Sequence, residues 1–122
     1  MRHLEIKLDH LPPRELSPNT REHWTVVKDF KSVARFEAGY LAKVKWQEQE
    51  PMKKAKVHYH FMVKDKRDHD VDNLVASCKA YLDGLIDVNV IMSDSYKYLS
   101  IGSAKVDYGD EYHTIIKIKE VK

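Results

Sequence analysis

Apolar and charged residues alternate from Leu4 to Asp9. A period of two marks a strand with one buried face. Leu11-Pro12-Pro13 ends it, because proline cannot donate to a strand ladder. Ser17-Pro18-Asn19-Thr20 then supplies a capping side chain and a proline near the first helical position. Beyond it Val26, Val27, Phe30, Val33, Ala34, Leu41 and Val44 recur at three- and four-residue steps. That spacing predicts a long amphipathic helix from about residue 19 to about residue 46. Lys28, Lys31, Arg35 and Glu37 fall on its other face.

Pro51 and the lysines after it read as a linker. Ala55, Val57, Tyr59, Phe61 and Val63 then alternate with Lys56, His58, His60 and Met62, the strongest strand signal in the chain. A polar loop runs from Asp65 to Asp70. Val71, Leu74, Val75, Cys78, Tyr81, Leu82, Leu85 and Ile86 follow helical spacing and predict one continuous second helix. Residues 97–108 and 111–121 read as two more strands joined by a turn at Tyr108-Gly109-Asp110. The order is β-α-β-α-β-β, an α+β single domain over residues 1–122 with a small mixed sheet packed against two helices. No internal repeat interrupts it.

Composition agrees with one folded domain. The chain has 122 residues, 43% hydrophobic and 33% charged, enough apolar material for one core and too much for disorder. Cys78 is the single cysteine, which excludes an internal disulfide and a cysteine-built zinc site. It lies on the apolar stripe of the second helix and reads as a small core residue. No apolar run is long enough for a membrane span. The first residues lack the apolar core of a secretory signal, so a cytoplasmic protein is expected.

Net charge is +2, but its distribution is uneven. Lys53 to Arg67 holds six basic residues against one acidic; Asp68 to Asp94 holds six aspartates against one lysine. A basic block beside an acidic one suits phosphate binding next to a cation site, and also suits two solvated faces of opposite sign. Asp68, Asp70 and Asp72 alternate where the loop meets the second helix. Asp72 is placed to cap that helix or open its first turn. Aspartates two apart repel unless solvated or neutralised, and hard divalent ions take carboxylates together with water and phosphate. On a continuous helix Asp72, Ala76, Lys79 and Asp83 share one stripe. Lys79 then either pairs with Asp83 at i, i+4 or adds positive charge beside a phosphate. Asp94 lies in a loop just before the next strand. His58 and His60 share a strand face, with no zinc-ligand spacing around them.

Asp70-Val71-Asp72-Asn73-Leu74, then Lys79, then Asp83-Gly84-Leu85, then Asp94-Ser95, together resemble the RusA-type Holliday junction resolvases of bacteria and their prophages. Leu11-Pro12-Pro13 and Ser17-Pro18-Asn19-Thr20 also look like that family's proline-rich, polar lead into its first helix. The likeness spans nearly the whole chain and is most specific from Asp70 to Asp94. Two features depart from the family pattern. Asp72 and Lys79 are separated by about one helical turn more than in its commoner form. The later acidic pair is reduced to Ser93-Asp94.

The resemblance implies a homodimeric endonuclease of recombination and repair that binds four-way DNA junctions and hydrolyses two symmetric strands with Mg²⁺, or Mn²⁺ in its place. Asp70, Asp72 and Asp94 look like its catalytic, metal-holding carboxylates, and Lys79 like its lysine. Lys64, Lys66 and Arg67, the basic residues nearest the aspartates, are expected to grip DNA backbone without reading bases. A C2 dimer would set one site on each of two strands. Two alternatives stand beside this. One is a metal nuclease acting on other branched DNA or on RNA. The other is a non-catalytic junction-binding or phage accessory protein.

Overall fold

The computed structural model describes residues 1–122. Strand β1 is His3–Leu8, helix α1 Trp24–Trp46 and strand β2 Ala55–Val63. Helices α2, Val71–Ala76, and α3, Lys79–Asp87, follow, then strands β3, Leu99–Tyr108, and β4, His113–Glu120. One 3-10 turn, Arg14–Leu16, lies between β1 and α1. The four strands form one mixed sheet in the order β1-β4-β2-β3. β4 runs antiparallel to both β1 and β2, and β3 runs parallel to β2. A parallel pair needs a crossover, which α2 and α3 supply. β3 and β4 are therefore not a hairpin: β2 lies between them, and the turn at Gly109 carries the chain past its end, with the Gly109 N–H donating to the Val63 carbonyl at 2.8 Å.

Alternation places Leu4, Ile6, Leu8, Val57, Tyr59, Phe61, Ile116 and Ile118 in the core, and the helices cover that face alone. The register steps between Val57 and His58, leaving Gly102 as the extra residue of β3. A side chain there would meet the His58 ring, which would have to swing aside.

Three expectations change. α1 begins at Trp24, later than the Ser-Pro-Asn-Thr segment, and His23 caps it by accepting from the Thr25 N–H. Its buried face is made of small residues, Ala34, Ala38, Gly39 and Ala42, with Trp46 at the end. Val33 and Val44, expected in the core, are exposed. The cause is α3, whose Gly84 backs onto Gly39 and the Arg35 carbonyl at a separation only small residues permit. The second helix is also not continuous. It breaks at Ser77-Cys78, where the Ser77 hydroxyl donates back to the Asn73 carbonyl at 2.7 Å and α3 restarts from the Cys78 carbonyl. Cys78 is fully buried, and burial pushes its thiol pKa up, as suits a core residue.

Candidate functional site

The loop leaving β2 is built around Asp65. Its carboxylate accepts from the Tyr112 hydroxyl at 2.7 Å, from the Arg67 backbone N–H at 3.0 Å and bonds His69 Nε2 at 2.8 Å. The Tyr112 and His69 bonds hold the Asp65 carboxyl well below the usual carboxylate range. This knot fixes the path of residues 65–69 and delivers the chain into α2.

Asp70, rather than Asp72, is the cap of α2. Its Oδ1 accepts from the N–H of Asp72 at 3.0 Å and of Asn73 at 3.4 Å. Asp72 occupies the first turn, exposed, with its carboxylate engaging no neighbour. Asp68 is exposed in the loop. Ser17, before α1, donates to Asn73 Oδ1 at 2.9 Å and ties the proline-rich segment to α2.

Beyond the break, Lys79 opens α3. Its ammonium lies 2.7 Å from Asp83 Oδ1 and 2.7 Å from Asp94 Oδ2. Asp83, then Asp94, raise its pKa above the ordinary lysine value. The loop carboxylate therefore meets this helical region at the start of α3, through lysine, and not at the start of α2 where Asp72 lies. Asp94 and Lys79 border an open pocket of about 550 Å³ that also takes in Val75 and Ala76 of α2, Tyr59 and Leu99.

Residues of the expected site therefore fall into two groups. Asp70 and Asp72 sit at the start of α2, and Lys79 and Asp94 sit on its far flank. All the donors are carboxylate oxygens, the type a hard divalent cation takes. They do not gather: no three histidine, cysteine, aspartate or glutamate side chains meet closely enough to enclose an ion. Lys64, Lys66 and Arg67 are exposed on the loop before α2. His58 bonds Ser103 Oγ at 2.8 Å and His60 bonds Asp107 at 2.7 Å, both on the open sheet face.

Sequence reasoning missed Asp65 with Tyr112, a contact across 47 positions. It also missed a cleft of about 670 Å³ walled by Arg14, Arg21, Arg67 and His69. No helix is long and apolar enough to cross a membrane. No protein-family model matches the chain and no curated protein matches it, so a function has to be read from the residues and their arrangement.

Proposed function

We propose that this chain is a metal-dependent endonuclease that cleaves branched DNA, four-way junctions above all, as a homodimer. The observation that carries the reading is the convergence of Asp94 on Lys79 beside the helix that Asp70 caps. Asp94 is thereby brought to the Lys79 end of this helical segment, while Asp70 and Asp72 stand at its other end. These are the residues whose motifs resemble the RusA-type resolvases.

Asp70, Asp72 and Asp94, which stand in two groups with Asp94 paired to Lys79, would have to close on Mg²⁺ to hold it; the ion when bound supplies Lewis-acid polarisation of a phosphodiester. Asp70 acts through its cap as well, fixing the first turn of α2 and so the position of Asp72. The Asp72 carboxylate makes no hydrogen bond and can take a cation without breaking one. Lys79 would place an ammonium where negative charge develops on a phosphate, with both Asp83 and Asp94 against it. Arg67, with Lys64 and Lys66, draws the DNA backbone to the loop.

The test is cleavage of a synthetic four-way junction in Mg²⁺ by the wild type and by Asp72→Asn. A linear duplex, a flap and an RNA hairpin serve as competing substrates. Paired cuts by the wild type, lost in Asp72→Asn, are the expected result. Absence of Mg²⁺-dependent cleavage overturns the reading. A second reading, binding without cleavage, is favoured by one observation: Lys79 already balances the Asp94 charge. Junction binding with no cleavage of any of the four substrates is its outcome.

A further inference from the structure

On the flank of α2 away from Lys79 and Asp94, Asn73, Leu74 and Ser77 form one wall of the arginine cleft. Arg14 and Arg21 reach it from the segment before α1, and Arg67 from the loop after β2. Like charges gathered in one concavity repel one another, so the arrangement is satisfied by an anion. The cations are only loosely paired within the chain. Arg14 lies 3.8 Å from Glu15, Arg67 lies 3.6 Å from Asp65, and Arg21 forms no ion pair. Asp65 is already engaged by Tyr112 and His69, which leaves the Arg67 donors available. On the cleft wall, the Ser17 bond to Asn73 Oδ1 leaves the Asn73 amide nitrogen free to donate. Glu22 is the one carboxylate on the cleft wall.

A second observation decides what kind of anion fits. Glu22 also borders a neighbouring groove of about 520 Å³ that is lined by Trp24. Trp24 opens α1 and is 67% exposed, held beside the His23 ring at a centroid distance of 5.7 Å. Trp46 of the same helix is buried, as tryptophan ordinarily is. Planar guanidinium groups match phosphate oxygens, and an exposed indole offers a face on which an unpaired base stacks. Arginines with an adjacent aromatic platform are a site for strand, not for free phosphate.

We propose that the Arg14–Arg21–Arg67 cleft and Trp24 together bind a single-stranded stretch of nucleic acid, the arginines taking consecutive phosphates and Trp24 stacking an unstacked base. The proposal rests on the reading of this chain as a nucleic-acid-binding protein, and not on its cleavage chemistry. Such a stretch occurs where duplex arms meet or open.

The test measures binding of a fluorescent single-stranded oligonucleotide in EDTA, across a salt series. Arg14→Ala/Arg21→Ala removes two exposed charges and should weaken binding at least about 10-fold at low salt. Its log K against log salt should flatten by about 1.4, near 0.7 for each lost phosphate contact. Trp24→Ala should weaken binding about 10-fold with the salt slope unchanged, because stacking releases no counterions. Lys43→Ala/Lys122→Ala removes the same charge elsewhere and should match the wild type. An arginine double variant indistinguishable from that control overturns the proposal, as does full affinity in Trp24→Ala. Equal affinity of inorganic phosphate for wild type and Trp24→Ala, lost in the arginine variant, together with no oligonucleotide binding, assigns a free-phosphate site and also overturns it. Because Mg²⁺ is absent, the cleavage reading fails or stands separately. A wild type that cuts junctions while the arginine variant binds normally sinks only the cleft. Strand binding through the cleft without cleavage in Mg²⁺ sinks only the nuclease.

Discussion

Lys79 Nζ stands 2.7 Å from Asp94 Oδ2, which joins the first residue of α3 to the loop that precedes β3. The same ammonium holds Asp83 one turn along α3. An i, i+4 pair alone would be a surface contact of a few tenths of a kcal/mol. The Asp94 contact makes it a fixed charge at the edge of a pocket. Lys79→Ala should slow Mg²⁺-dependent single-turnover cleavage by about 10²-fold, the scale of one lost transition-state contact. Asp83→Asn, which leaves the Asp94 contact in place, should keep turnover near the wild-type rate. Normal cleavage by Lys79→Ala with a lowered Tm would give the lysine a purely structural role.

Asp70 caps α2, and the proposed function gives it a second job that substitution can separate from the cap. Asparagine caps a helix about as well as aspartate, but carries no charge. Asp70→Asn should therefore keep its Tm and lose cleavage. Asp70→Ala should lose both, with a stability cost of about 1 kcal/mol from the missing cap. Urea unfolding beside a junction-cleavage assay separates the two effects. Equal destabilisation by both variants would mean that the cap is not what Asp70 contributes.

Periodicity made the strands legible because alternation reports one buried face, and β2 fell at its expected bounds, Ala55–Val63. It also found most of the core-facing residues of the second helical segment, Ala80 being the one it missed in the core cluster. It did not show the break, because Ser77 fits a helical spacing and only its hydroxyl, bonded back to Asn73, betrays the stop. The face of α1 was misread in part: Phe30, Ala34 and Leu41 do pack on the core, but Val33 and Val44 do not. Large apolar residues at helical steps mark a core face only when the neighbour leaves room, and Gly39 against Gly84 leaves none. The placement of β2 between β3 and β4 was hidden because a short turn looks the same whether its strands pair or straddle a third. Asp70, Asp72, Lys79 and Asp94 were legible as motifs. That Asp94 meets Lys79, and that Asp70 takes the cap, are facts of tertiary position.

The Asp65 knot ties stability to pH. Its carboxyl is depressed in the folded chain by Tyr112 and His69, so it contributes stability above its unfolded value, lost as pH falls toward the folded one. Tyr112→Phe removes the largest cause. The stability gap between wild type and Tyr112→Phe should be full at about pH 6 and narrow at about pH 3. Urea midpoints at the two values give the measurement. A gap of constant size would show that the phenol acts by packing instead of through the carboxylate.

The contact of α1 with α3 has little slack. A Cβ on Gly84 would lie 2.9 Å from the Gly39 backbone nitrogen and closer still to the Arg35 carbonyl, both backbone atoms that cannot swing aside. Gly84→Ala should force the helices apart and destabilise by about 1–3 kcal/mol, despite the better helix propensity of alanine. Gly102→Ala meets a side chain, His58, which can move, and should cost less. Thermal melts of the two variants rank the sites. A melting temperature for Gly84→Ala at or above the wild type would contradict the close approach.

The residues that Gly39 and its alanines displace from the core have a consequence for assembly. Val33, Phe36, Tyr40 and Val44 are 67%, 73%, 62% and 63% exposed and lie along one side of α1. Phe36 and Tyr40 stack with centroids 6.2 Å apart. At 1.5 Å per residue the stripe is about 16 Å long, a continuous apolar ridge of the kind that marks an interaction surface. Pairing with a second copy about a two-fold axis would cover it and would give the two sites that the proposed paired cleavage needs. Phe36→Glu places a charge at its middle without touching the core. It should convert a dimer to a monomer in sedimentation at micromolar concentration, leave the far-UV circular dichroism unchanged, and reduce paired junction cuts to single nicks. A wild type that sediments as a monomer under those conditions and still makes paired cuts would remove the stripe from the assembly.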